Sequence, residues 1–118
     1  GGKHMVRKAN VINKTGLGGG KGSAEVHYIV PEEELYGHGR MYAKVCLKPG
    51  STVGWHRHVG ETEPYYILEG QGVFIDDDKS RTSVGPGDVC TILSGQCHSI
   101  ENTSETEDLV FMALIYKD

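Results

Sequence analysis

The chain has 118 residues and a formal net charge of −4 at pH 7, with 16 acidic and 12 basic side chains. A mildly acidic chain with scattered lysines gives no electrostatic reason to expect nucleic acid or an anionic membrane as a partner. At this length one domain buries about two-thirds of its unfolded surface, so stability does not depend on disulfides.

The amino-terminal region predicts an extension in front of the main domain. The first four residues, before Met5, are interpreted as a cloning remnant, and residues 5–24 as an extension that contains a Gly-rich loop. The region has no apolar run suited to a signal peptide or a membrane span, and the three cysteines lack C-X-X-C spacing. The cytoplasm is therefore the expected compartment.

Glycine dominates the segment from Thr15 to Ser23, which invites comparison with phosphate-binding loops. That pattern requires glycine where Thr15 stands and serine or threonine where Gly22 stands, so the comparison fails. We interpret the segment as a flexible loop that either folds over the mouth of the domain or lies across a second subunit. The stretch Val6–Val11 before it is expected to pair with the sheet edge of that subunit, which predicts a homodimer.

From residue 26 onward, short apolar runs alternate with turn-like stretches, a pattern typical of many short strands. Only residues 31–35, Pro-Glu-Glu-Glu-Leu, suit a single helical turn. Strands at this spacing favour a sandwich or a barrel, and a barrel supplies the interior that a buried site needs. The predicted strands are Val26–Val30, Arg40–Leu47, Thr52–His58, Tyr65–Leu68, Gly72–Ile75, Thr82–Val84, Asp88–Leu93, Cys97–Asn102 and Leu109–Tyr116.

The most informative pattern begins at His56-Arg57-His58. Side chains alternate along a strand, so a His-X-His pair presents both imidazoles on the same face. Glu63 is followed by Pro64, which favours the extended region for Glu63, so a strand is expected to start here. Tyr65 then shares the face of Glu63. The rival carboxylate, Glu61, is expected to be solvated in a turn.

A second segment supplies a further histidine. It ends in the predicted strand Cys97–Asn102, which returns His98 to the cavity of the first segment. Three neutral imidazoles and one carboxylate suit Mn²⁺, Fe²⁺, Ni²⁺ or Zn²⁺ and leave one or two positions open for water or substrate. The competing interpretation, that these are unrelated core or surface residues, requires a coincidence of spacing. The predicted metal ligands are His56, His58, Glu63 and His98.

The two segments together resemble the cupin signature, in which a His-X-His…Glu…Gly segment is followed by a Gly…Pro-X-Gly…His…Asn segment. The departure is Leu93, which stands where the family usually has proline and which affects a turn instead of a ligand. The resemblance covers roughly half of the chain, from Gly50 to Asn102. The matching residues are Gly50, His56, His58, Glu63, Gly70, Gly87, Gly95, His98 and Asn102.

The resemblance implies an all-β fold, the double-stranded β-helix or jelly-roll barrel, with residues 25–118 as a single cupin domain. The short gap between the two segments is similar to that of compact bacterial cupins, some of which are oxalate-decarboxylase-like. A homodimer is implied as well. Of the possible metals, manganese is expected first, with one ion per chain.

Four further residues are candidates for contact with a substrate. Tyr65 shares the inward face of the ligand carboxylate, where it either orients a substrate or donates a proton, or is a core aromatic with a satisfied hydroxyl. Arg40 and Tyr42 either reach the barrel mouth, where they would bind a carboxylate, or lie on a solvated face. Gln96 shares the face of the third histidine, and it either hydrogen-bonds a metal-bound ligand or serves a turn.

The expected function is a metal-dependent enzyme acting on a small carboxylic acid or a sugar derivative. The resemblance favours decarboxylase or oxidase chemistry, but oxalate-processing cupins place an arginine shortly before the His-X-His pair, where Val53-Gly54-Trp55 stands. A dioxygenase or a sugar isomerase fits nearly as well, and the alternative class is a non-catalytic module that binds a small ligand. A general acid or base near the metal would favour an enzyme, and an apolar cavity with only the four ligands would favour binding.

Overall fold

The computed structural model describes residues 5–118, so the predicted cloning remnant at residues 1–4 lies outside the described residues. Two single-turn 3₁₀ helices, Leu17–Gly19 and Glu32–Leu35, accompany the strands, and the second matches the predicted helical turn. No helix in residues 5–118 is long and apolar enough to cross a lipid bilayer. The strands are β1 (Asn10–Thr15), β2 (Ser23–Tyr28), β3 (Gly39–Leu47), β4 (Thr52–Arg57), β5 (Glu61–Glu69), β6 (Gly72–Ile75), β7 (Arg81–Val84), β8 (Val89–Ile92), β9 (Cys97–Asn102) and β10 (Leu109–Lys117).

The strands form two antiparallel sheets. The larger sheet has the order β1-β2-β3-β10-β5-β8, and the smaller has the order β4-β9-β6-β7. From β3 onward the chain passes back and forth between the sheets, so residues far apart in sequence face each other across the interior. The predicted all-β class is confirmed.

Alternation along the strands buries one face of each sheet. On β3, Ala43, Val45 and Leu47 are buried, as the alternation predicts, whereas Tyr42, next to Ala43, is exposed. Each large apolar side chain that leaves water stabilises the fold by about 1.5–3 kcal/mol. The largest fully buried side chains are Phe111, Leu47, Ile67, Ile92, Ile100, Leu109 and His98.

The amino-terminal extension is part of the large sheet, which corrects the predicted domain boundary. The sequence pattern does not predict β1, yet all six of its residues pair with β2 of the same chain. The boundary expected between residues 24 and 25 therefore falls inside β2. The predicted dimer arm Val6–Val11 contributes its last two residues to this hairpin.

Glycines allow the loop between β1 and β2 to fold tightly against β4. Four glycines between residues 16 and 22 have φ angles of 58° to 79°, in the left-handed region that side chains disfavour. A Cβ added to Gly54 would collide with the backbone of this loop. Leu17 of the loop packs against the core, and a Cβ on Gly18 would be 3.0 Å from Nδ1 of His56. Of the two predicted placements, the structure has the loop over its own barrel.

Strand β5 begins at Glu61, two residues before Glu63, where a strand is expected to start, and four before the predicted segment Tyr65–Leu68. It pairs with β10 at Tyr65 and again at Thr62 but not between them, because Pro64 has no N–H to donate to a ladder. The earlier start matters for the site, since Glu61, Glu63 and Tyr65 then share one face of the strand.

Candidate metal centre

Three histidines and one glutamate converge in the space between the sheets. His56 on β4 and His98 on β9 are direct partners in the small sheet. Glu63 on β5 reaches them from the large sheet, and His58, one residue beyond β4, lies on the side of His56 by alternation. The four ligand atoms lie within 4.8 Å of one another, and three of the side chains are at most 3% exposed. The structure thus brings together the four predicted metal ligands.

Hydrogen bonds at the outer side of two histidines determine which ring nitrogen carries the proton. His56 Nδ1 lies 2.6 Å from the carbonyl oxygen of Gly54, and His58 Nδ1 lies 3.4 Å from Oε1 of Glu61. A carbonyl and a carboxylate only accept, so each Nδ1 donates and each Nε2 presents a lone pair inward. Outer partners of this kind orient histidines that bind metal ions.

The inward-facing atoms of the four side chains are crowded. The three Nε2 atoms are 3.0 to 3.2 Å apart. Oε1 of Glu63 is 3.0 Å from His58 Nε2 and 3.1 Å from His98 Nε2. Lone pairs this close repel one another unless a proton or a cation lies between them. Two ligands about 2.1 Å from a common ion at a right angle are about 3.0 Å apart, so these separations fit a six-coordinate divalent ion.

The electrostatics of the site keep its carboxylate charged. Burial raises the pKa of Glu63, but His58 and His98, which donate hydrogen bonds to it when they are protonated, outweigh burial and hold that pKa below its ordinary value. The same hydrogen bond to Glu63 raises the pKa of His58, whereas burial lowers the pKa of His56. The site therefore offers an ionised oxygen beside imidazole nitrogens, the donor set that divalent transition metals bind.

Metal affinity should fall as the pH drops, and His58 should be protonated at a higher pH than His56. An imidazole binds a metal only in its neutral form. Because the pKa of His58 is raised and that of His56 is lowered, His58 takes up its proton at the higher pH. Titrations with Mn²⁺ between about pH 8 and pH 5 should give a dissociation constant that rises steadily below about pH 6.5. A constant affinity over this range would contradict imidazole ligation.

The structure corrects the expectation that Glu61 is solvated in a turn. Its side chain is 15% exposed, and its two carboxylate oxygens accept hydrogen bonds of 2.8 and 3.1 Å from Arg40. The hydrogen bond from Arg40 lowers the pKa of Glu61, so a charged carboxylate stands beside His58. The two-residue spacing between Glu61 and Glu63 would place both side chains on one face of a strand. The sequence pattern of residues 59–62 nevertheless favours a turn, so the sequence does not predict this role for Glu61.

Replacing Glu61 with glutamine should weaken metal binding by about 10-fold to 100-fold, the range typical of outer partners of ligating histidines. The amide keeps the shape but loses the charge that holds the Nδ1–H of His58. Isothermal titration with Mn²⁺ measures the change. Glu69→Gln is the matched control, because Glu69 is an exposed carboxylate on the same strand. Equal affinity in both variants and the parent would contradict the orienting role.

A cavity of about 410 Å³ opens beside the ligands. Its walls are mainly apolar, and the charged residues Lys14, Glu32 and Arg40, which are partly or fully exposed, stand at its opening. The structure does not bring Tyr42 or Gln96 to this cavity. Tyr42 is 38% exposed on the outer face of β3, and Oε1 of Gln96 accepts a hydrogen bond from a backbone N–H of its own turn. These positions match the solvated-face and turn interpretations.

Two of the four substrate candidates line the cavity, Arg40 at its opening and Tyr65 in its interior. Tyr65 lies beside the predicted metal ligands. It is 3% exposed and stacks on the ring of His98 with 5.2 Å between the centroids. Burial and the neighbouring Glu63 carboxylate raise the pKa of Tyr65 well above its ordinary value. The phenol therefore stays protonated at neutral pH, where it donates hydrogen bonds but does not act as a base.

Comparisons with known proteins agree with this fold and site. A family model described as a cupin domain matches residues 43–115. An oxalate-binding protein of Thermotoga maritima is 46% identical over 113 residues, which cover 94% of this chain and 92% of the relative. The crystal structure of a predicted oxalate decarboxylase from Thermotoga maritima has a TM-score of 0.89 and 40% identity, covering 98% of this chain and 100% of that one. Acireductone dioxygenase of Rhodopseudomonas palustris is 38% identical over 53 residues, 42% of this chain and 32% of the relative.

The fold and the site define a class of protein: a double-stranded β-helix barrel with a candidate metal centre of histidine and glutamate between its sheets. The family match extends over more than half of the chain and includes the four predicted ligands. The chain belongs to the cupin family. The jelly-roll barrel implied by the two motif segments is confirmed.

Proposed function

We propose that this cupin binds one divalent transition metal ion and holds a small carboxylate ligand on it. The observation that carries the proposal is the crowding of three imidazole nitrogens and one carboxylate beside an open cavity. A six-coordinate ion with four protein ligands has two positions left for the ligand. When bound, the metal acts as a Lewis acid that fixes the ligand and stabilises negative charge on it. The proposed ligands are His56, His58, Glu63 and His98.

The charge of the site favours an anionic ligand. A divalent ion contributes +2, Glu63 contributes −1 and neutral imidazoles contribute nothing, which leaves +1 at the centre. At the opening, Lys14 is balanced by Glu32 and Arg40 by Glu61, so the centre itself decides the charge preference. The Thermotoga relative described as an oxalate-binding protein supports a carboxylate as the ligand.

The cavity favours binding over catalysis. Apart from the metal ligands and the charged residues at the opening, the titratable side chains in the described lining are the phenols of Tyr28 and Tyr65, and the pKa of Tyr65 is raised above its ordinary value. The described lining therefore offers no further histidine or carboxylate beside the metal as a general acid or base. A sugar derivative is not favoured, because apolar walls give its hydroxyl groups few hydrogen-bond partners.

Catalysis on the metal is the second candidate function. The observation in its favour is the local similarity to acireductone dioxygenase over 53 residues, which supports dioxygenase chemistry. Oxalate decarboxylase-like chemistry has less support. The segment Val53-Gly54-Trp55 lacks the arginine of oxalate-processing cupins, and Arg40, the arginine of the described lining, is already paired with Glu61.

Manganese is the metal that we propose first, followed by iron and nickel. Ligand separations near 3.0 Å support the right angles of a six-coordinate ion. A four-coordinate zinc ion would hold its ligands about 3.4 Å apart, so zinc is the last choice.

Titration of oxalate and pyruvate into manganese-loaded and chelator-stripped protein tests the proposed function. Binding is expected in the loaded protein and is expected to disappear in the stripped protein. Incubation of the loaded protein with each acid in air, followed by analysis of carbon dioxide, formate and peroxide, tests the second candidate. Equal binding by the stripped protein, or no carboxylate binding by the loaded protein, would refute the proposed function.

We also propose a homodimer formed through the edge of the large sheet. Strand β1 lies at that edge. Its apolar residues Val11 and Ile12 are 47% and 40% exposed, and Val6, which precedes the strand, is 88% exposed. Exposed strand edges with apolar side chains need cover. Light scattering at micromolar concentration should give twice the chain mass of 12.9 kDa. A monomer mass would contradict the dimer, and an unchanged dimer after removal of the residues before Gly22, which include β1, would contradict its location.

The cytoplasm is the compartment that we propose. The three cysteines, Cys46, Cys90 and Cys97, are buried and form no disulfide. Unpaired thiols of this kind are typical of proteins kept in a reducing compartment.

A further inference from the structure

We propose that the ligand of this cavity is a carboxylic acid with an apolar tail, and that oxalate is too small to be its best ligand. The inference rests on the proposed carboxylate-binding function. The cavity of about 410 Å³ lies within the range of about 300–1,000 Å³ that is typical of sites for drug-sized molecules. Oxalate, two carboxylates joined by one bond, would fill only the part beside the metal ligands.

The remainder of the cavity is bounded by an apolar wall. The wall belongs to three neighbouring strands of the large sheet, β2, β3 and β10, and Leu17 of the Gly-rich loop adds to it. Since these side chains point inward from adjacent strands, they form one continuous surface. Its apolar residues are Val26, Met41, Val45, Phe111, Ala113 and Ile115, and the partly buried Tyr28 of β2 also lines the cavity.

The polarity of the cavity lining therefore changes along its length. The metal ligands provide a polar end, the wall provides an apolar middle, and Lys14, Glu32 and Arg40 stand at the opening. A hydroxyl or a second carboxylate placed against the wall would lose its hydration without gaining a hydrogen bond. An alkyl or aromatic tail gains free energy there with each methylene that leaves water. The arrangement matches an acid whose head binds the metal and whose tail lies on the wall.

A series of straight-chain 2-oxo acids tests this inference with the complete manganese-loaded protein. Pyruvate, 2-oxobutanoate, 2-oxopentanoate and 2-oxohexanoate keep one metal-binding head and lengthen the tail by one methylene at each step. Isothermal titration should show affinity rising by about threefold to fourfold with each methylene, and 2-oxohexanoate binding more tightly than oxalate.

Shortening one side chain of the wall supplies the second arm of the test. Met41 is partly buried and lines the cavity, so Met41→Ala should weaken 2-oxohexanoate binding several-fold and leave oxalate and pyruvate unchanged. Met112 lies on the opposite face of its strand and does not line the cavity. Met112→Ala is therefore the matched control, with no change expected for any acid.

The outcomes separate the inference from the proposed function. Oxalate binding more tightly than every 2-oxo acid, or an affinity that is flat or falls with tail length, would overturn the inference and leave metal-dependent carboxylate binding intact. An equal loss in the Met41 and Met112 variants would also overturn it, because the wall would then have no specific role. No binding of any acid to the loaded protein would refute the proposed function and the inference together.

Discussion

Elemental analysis of the His58→Ala protein should find that the metal content falls from about one ion per chain to a small fraction of one ion. Nε2 of His58 lies at most 3.2 Å from the Nε2 atoms of His56 and His98 and 3.0 Å from the Glu63 oxygen, so it contacts every other ligand. Loss of a ligand should exceed the effect of losing an outer partner, so affinity should fall by more than about 100-fold.

The control for this variant is His38→Ala. His38 is exposed and does not belong to the ligand group, so its removal should leave the metal content unchanged. Circular dichroism of both variants checks that the strand-rich fold is retained. A folded His58 variant with full occupancy would mean that these four side chains do not form the metal site.

Replacing Glu63 with glutamine should show whether the metal has a functional or a structural role. The substitution nearly preserves shape but removes the negative charge of the centre, so three imidazoles should retain the metal with much weaker affinity. At saturating metal the net charge of the centre rises, so carboxylate binding should persist. Any turnover should fall by orders of magnitude, because the Lewis acidity of the metal changes.

Thermal stability distinguishes a functional metal from a structural one. The melting temperature of the metal-saturated Glu63→Gln protein should move by only a few degrees, because the stability of the barrel comes mainly from its apolar interior. Glu69→Gln on the same strand is the control. A large drop in the melting temperature of the metal-saturated Glu63 variant alone would show that the metal mainly stabilises the fold.

The four proposed ligands could be predicted because their placement follows from short-range rules. Strand alternation puts His56 and His58 on one face whatever the rest of the chain does. The extended backbone before Pro64 aims Glu63 in the same local way. Turns at glycines then set the distances between the segments. The spacing of the four residues in the sequence was therefore enough to predict that their side chains meet.

The outer partners and the first strand were not predictable in this way. Arg40 meets Glu61 across 21 residues of sequence, and only the pairing of β3, β10 and β5 brings these strands side by side. Strand β1 is largely polar, and its strand character comes from its pairing with β2, since tertiary context decides weak strand propensity. The same hairpin places Lys14 at the opening of the cavity, a position that the sequence pattern does not reveal.

Anomalous diffraction from crystals grown with Mn²⁺ tests the central claim most directly. One strong peak is expected about 2.0–2.3 Å from the three histidine Nε2 atoms and from a carboxylate oxygen of Glu63. The structure contains an internal comparison, because Glu25, His27 and Cys46 also place their ligand atoms within 4.8 Å of one another. A peak at that second cluster with none at the first, or no peak at saturating Mn²⁺, would contradict the assignment of the metal centre.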